Sequence, residues 1–317
     1  MRRAAPPQGV RVDPADPGPW ARVAHGPRGL GLTEAPAPEG VQLAPDGAPM
    51  RPVRGVPFAT HEAHIVADGG IVLTAAPDVA RTIRLPDMAP LFDRRPPGLM
   101  RVAGATLANA GLLLDDTGWR AVVLPSLGDL ASDLGPGPIA IRADGRRVAV
   151  VHEGAAYELE LPGAATTRVE TEGTPGAIAY AHDGSVIAAV GDGLGGDAGG
   201  GSPIVALAAA GAAPRVLARH GDGSCSVWDT GARVRLATWT PAIPGPLSIA
   251  LSADGELASM GTPFADPAAA CVVRAADGAV VRHVDGARTI ALHPQGKGLL
   301  VGGEWGALYL EPPREAR

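Results

Sequence analysis

Lysine is almost missing from this chain: Lys297 is the only one, and every other basic side chain apart from histidine is an arginine. The basic residues do not cluster beyond pairs such as Arg94-Arg95 and Arg146-Arg147, and the formal net charge is −6. A chain so charged exerts no general pull on polyanions, so nucleic acid is not an expected partner. Long hydrophobic runs are lacking as well. Nowhere do about 18 uncharged apolar residues follow one another, and the start, MRRAAPPQGVRVDPADPG, has no apolar segment of secretory type. The expectation is a soluble, cytoplasmic protein without a membrane partner. Aromatic residues make up only 3%, so a core must be built from Val, Leu, Ile and Ala. The two cysteines, Cys225 and Cys271, fall at equivalent places in successive sequence repeats, CSVWDTGARVRL and CVVRAADGAVVR, where a disulfide is not expected.

What the chain has in abundance is glycine (44) and proline (32) in a sequence that is still 46% hydrophobic. That combination describes a turn-rich globular protein rather than a disordered one. The wealth of Ala, Gly and Arg is the composition of a GC-rich bacterial genome. Residues 1–39 are rich in proline and glycine with little periodicity and read as an irregular arm; residues 40–317 read as the folded body.

Short apolar runs recur through the body. They begin at Ile71, Leu112, Val148, Val186, Val216, Leu257 and Leu299, at intervals of 30 to 42 residues. Four of them are preceded by matching segments, PIAIRADG (138–145), GAIAYAHDG (176–184), PLSIALSADG (246–255) and RTIALHPQG (288–296), each an alternating apolar strand closed by a tight turn. Repeats near 40–45 residues with several strands apiece are the mark of an all-β propeller. Seven four-stranded blades are expected, with six as the alternative, because Ile204 to Ala218 serves either as the outer half of one blade or the inner half of the next.

The stretch DGSCSVWDTGARVRLATW, Asp222 to Trp239, pairs two short strands about a Thr230-Gly231 turn. It resembles the outer half of a WD40 repeat, with Trp228 at the signature tryptophan and Asp222 at the turn aspartate that family members hydrogen-bond internally. The likeness extends over about residues 60–310, but only this repeat carries Trp-Asp, and the family's Gly-His dipeptide near the start of a repeat is absent. The resemblance implies a single ring closed by a strand from the N-terminal side. Since the last repeat ends soon after Leu310, a segment within Trp20 to Leu43 is expected to complete it.

Candidate chemistry is sparse. Gly191, Gly193 and Gly196 satisfy a G-x-G-x-x-G spacing, but a strand rather than a helix follows, so no helix N-terminus is there to hold a pyrophosphate. Asp192 and Asp197 in the same loop are too few oxygen donors for calcium. His61-Glu62-Ala63-His64 is not a zinc helix motif, has no third ligand nearby in sequence, and reads as solvent-facing polar residues. Asp144, Asp183 and Asp254 have a sufficient reason in their Asp-Gly turns. No G-x-S-x-G elbow occurs. Neither a cofactor nor a metal is expected.

The loops joining second to third strands hold Asp78, Asp115, Asp116, His152, Glu153, Asp192, Asp197, Asp266 and Glu304, and no lysine or arginine. In a propeller they emerge on one face, which should then be negative. Phe264 and Trp305 in two of these loops supply apolar groups. The function expected is that of a non-catalytic scaffold that binds a protein with a basic or apolar patch through Asp116, His152, Glu153, Asp197, Phe264, Asp266, Glu304 and Trp305. Two readings compete with it. The acids and glycines could be plain turn residues with Trp305 packed between blades, or the chain could be a propeller hydrolase or lyase with a metal in its central channel.

Overall fold

A computed structural model describes residues 23–26, 29–32, 51–56, 58–163, 165–194, 201–243, 245 and 248–311. Apart from one 3-10 turn at Ala67–Gly69 the elements are all strands. No helix among the described residues is long and apolar enough to cross a membrane.

The strands form seven antiparallel blades and one separate hairpin, Val23–Gly26 with Gly29–Leu32. Their inner strands are, in order, Glu62–Val66, Arg101–Gly104, Ile139–Ile141, Ala177–Tyr180, Ile204–Ala209, Ser248–Leu251 and Ala287–Leu292. Each lies against the next, and the seventh lies against the first, so the ring is closed. All seven apolar runs singled out in the sequence are the second strands of these blades. The short interval before Val216 is resolved in favour of the later blade: Ile204–Ala209 and Arg215–His220 are the inner half of blade 5. Among the described residues blade 4 has three strands, the third Gly193–Leu194.

Ring closure is made by an N-terminal strand, but further along the chain than residues 20–43. Arg51–Val56 pairs antiparallel with Gly306–Glu311 and completes blade 7. The reason is reach. An outer strand must hand the chain to the next inner strand through a short connection at the rim, and only a segment just ahead of Glu62 can do so.

The turns follow from their residues. Asp144, Asp183 and Asp254 each accept a hydrogen bond from the backbone N–H two residues on, at 3.0, 2.9 and 3.0 Å. Gly145, Gly184 and Gly255 follow them at φ +68°, +81° and +75°, which a side chain would resist.

Between every pair of neighbouring blades lies one apolar cluster, seven in all. Their members are chiefly Val, Leu, Ile and Ala, as the shortage of aromatics requires. Cys225 and Cys271 sit as free thiols in the cluster between blades 5 and 6, where burial pushes the first up to about 12 and the second to about 11. At pH 7 they are inert filling.

The stretch around Trp228 holds an internal network of its own. The Trp228 indole N–H donates to Ser226 Oγ (2.8 Å), which meets His220 Nε2 (2.7 Å), and His220 Nδ1 lies 2.8 Å from the Ser202 carbonyl. His220 ends the second strand of the same blade, and Asp222 instead holds the turn by accepting from Ser224. Ser226 is fully buried, so its replacement by alanine strands the indole donor. We expect Ser226→Ala to lower unfolding free energy by about 1–3 kcal/mol in urea titrations, with no change in the fold by circular dichroism.

Candidate functional site

On the face where the inner strands begin, three segments from blades 6, 7 and 1 come together. Arg288, at the entrance of the blade 7 inner strand, donates from Nη1 to the carbonyls of Pro263 and Ala265. Thr262 closes the same loop: its N–H and hydroxyl both reach the Ala269 carbonyl, at 3.1 and 3.0 Å, and its Oγ1 accepts the Ala269 N–H at 2.8 Å. Phe264 is thus presented on a loop that is already held, with 58% of its surface exposed. Its ring stands edge-on to His61, centroids 6.5 Å apart.

Glu304 Oε1 lies 2.9 Å from Arg288 Nε and 2.8 Å from His61 Nε2. Burial lowers the His61 pKa; Glu304 pulls it back up and Arg288 pushes it down again. At neutral pH the imidazole is uncharged and the Glu304–Arg288 pair is balanced. Phe264 therefore sits beside a neutralised corner rather than inside a negative rim.

The same compensation runs round the face. Asp115 is buried against Arg120, 2.9 Å away, and Asp192 lies 3.7 Å from Arg235. Asp78, Asp116, Glu153 and Asp266 remain exposed, as does His152. Strand arginines that the loop sequences do not contain reach up to meet loop acids, so the face is less negative than its loops alone suggest.

Of the residues expected to bind a partner, Phe264, Asp266, Glu304 and Trp305 fall in one region. Asp116, His152 and Glu153 stand on the turns of blades 2 and 3, away from it. Asp197 lies outside the described residues. Trp305 is half-buried and packed against the core between blades 6 and 7, so Phe264 is the free apolar group. His61 and Arg288 were not legible as members of this site. Their only signal is position: each sits where an inner strand begins, beside the loops of the neighbouring blade.

Glu62 is not a solvent-facing residue. It is 3% exposed, and its carboxylate accepts from Arg101 Nη2 (2.7 Å) and the Val102 N–H (2.9 Å). Burial works against its charge, but Arg101 and the neighbouring His64 outweigh that and hold its pKa at about 2. Among the described residues, no three His, Cys, Asp or Glu side chains come together to hold a metal.

The Glu62 pKa is depressed from 4.5, so its contribution is complete above about pH 4.5 and is lost as pH falls through about 2. The most it can supply is about 3 kcal/mol, since one pKa unit corresponds to about 1.4 kcal/mol. We expect the melting temperature to fall between pH 5 and pH 2.5, and Glu62→Gln to flatten that part of the profile while lowering stability at pH 7.

No protein-family model matches the sequence, and no curated protein matches it. Among solved structures, the chain is similar to the β-propeller domain of Myceliophteria thermophila Cps50 (Swd1), with a TM-score of 0.62 and 13% identity, over 84% of this chain and 100% of that one. At that identity the likeness speaks for the fold alone, in agreement with the closed ring of blades. The chain folds as a β-propeller of seven blades.

Proposed function

We propose that this chain is a non-catalytic interaction platform that holds a partner protein on the loop face around Phe264. One observation carries the reading: a large apolar side chain is more than half exposed on a loop fixed by Arg288 and Thr262. A group already held in place loses little freedom on binding, so its burial counts almost in full. Covering the ring stabilises a complex by about 2 kcal/mol, or roughly 30-fold in affinity. The exposed Asp266 and the polar Glu304–Arg288–His61 group form the rim, and the partner surface that fits is apolar with a polar or basic border. Asp116, His152, Glu153 and Asp197 are further contacts for a partner large enough to span the face. The composition supports a bacterial cytoplasm as the setting.

Phe264→Ala is the clean test, because the side chain supports no core; Trp305→Ala would also disturb the packing of blades 6 and 7. With wild-type and Phe264→Ala chains as baits and quantitative mass spectrometry as the readout, at least one protein should be enriched tenfold or more by the wild type and lost with the variant. Melting temperatures should agree. Identical capture by the two baits would remove the site.

A further inference from the structure

Arg219 is a half-buried cation with no acid set against it. It lies on the second strand of blade 5, Arg215–His220, opposite Ala206 of the inner strand and so near the face where the inner strands begin. Alternation sends Arg215, Leu217 and Arg219 to one side of the sheet, toward blade 6. Arg215 finds Glu256 there, 2.6 Å away, and Leu217 joins the cluster between the two blades. Among the described residues the Arg219 guanidinium makes no ion pair and no hydrogen bond, and its Nε is shut off from water without an acceptor.

A second cation belongs to the same place. Arg101 is the first residue of the blade 2 inner strand; its Nη2 meets the buried Glu62 carboxylate at 2.7 Å, yet 43% of its side chain remains exposed. Blades 2 and 5 stand on opposite sides of the ring, so the two guanidiniums face each other across the channel that the inner strands enclose. They are near enough for their charges to oppose one another. Burial lowers the Arg219 pKa, Cys225 draws it back up and Arg101 pushes it down again, and an arginine stays charged throughout. Glu62 answers one of the two charges and leaves the other open.

We propose that the mouth of the channel, between Arg101 and Arg219, binds the phosphate group of a phosphate monoester. A carboxylate presents its two oxygens in one plane, and a single guanidinium matches it. A phosphate monoester carries roughly −1.5 to −2 charges at neutral pH and presents three oxygens in different directions, so it accepts from arginines on opposite walls at once. It also relieves the repulsion between them. The site lies in the channel and does not depend on Phe264 or on the reading of that loop.

The test is calorimetric titration of the purified full chain, at one ionic strength, with inorganic phosphate, glycerol 3-phosphate, a phosphoserine hexapeptide and acetate. Inorganic phosphate should bind saturably at one site per chain, and acetate at least tenfold more weakly. Tighter binding of glycerol 3-phosphate than of the peptide assigns the group to a small molecule, and the reverse assigns it to a phosphorylated chain. Arg219→Gln should raise the Kd for phosphate at least tenfold with the melting temperature unchanged or higher, since it breaks no bond and removes a repulsion. Arg219→Lys, which keeps the charge without the planar fork, should fall between. Arg215→Gln, which breaks an ion pair away from the channel mouth, should bind phosphate as wild type, and so should Phe264→Ala. Phosphate should raise the melting temperature of the wild type but not of Arg219→Gln. Absence of saturable binding, acetate bound as tightly as phosphate, or an Arg219→Gln chain that binds like the wild type would overturn the proposal.

Discussion

The structure depends on a shortage of cover. Each blade is a small twisted sheet with two apolar faces, and among the described residues no layer of helices covers them. Val, Leu, Ile and Ala from one blade must lie against those of the next, and the arrangement ends only when the last blade meets the first. The seven apolar clusters, one per junction, are the material form of that requirement. With few aromatics to fill space, tryptophans are placed where their N–H groups have partners. Trp119 donates to the Gly137 carbonyl at 3.1 Å, Trp239 to that of Ala275 at 3.0 Å, and Trp228 to Ser226.

A ring built this way is held at one seam. The seam is blade 7, where Arg51–Val56 binds the two ends of the chain together and Val56 joins the cluster shared with blade 1. Among the described residues, the junction of blades 3 and 4 buries Ala149, Val151, Ala156, Ile178 and Tyr180, the smallest of the seven clusters. Tyr180 also ties the two blades through its hydroxyl, which donates to Glu158 at 3.0 Å.

Charge on the loop face is settled locally. Loop acids and strand arginines come from different parts of the sequence, yet each inner strand begins beside loops of neighbouring blades. Arg288 meets Glu304 and the Phe264 loop, and Arg101 meets Glu62. The result is a face of mostly paired charges from which one aromatic side chain stands out.

By itself the sequence determined the class of fold, the seven repeats, the second strand of each blade and the Asp-Gly turns, because these rest on alternation and on residues a few positions apart. Trp228 was legible for the same reason. Tertiary structure alone decided which strand closes the ring, that Glu62 is buried, and that His61 and Arg288 join Phe264 and Glu304. These follow from pairings between residues as distant as 61 and 304, and local periodicity carries no information about which distant partner a side chain will meet. Nor could composition say that Trp305 packs inward while Phe264 faces out, since that depends on how the neighbouring blade is placed.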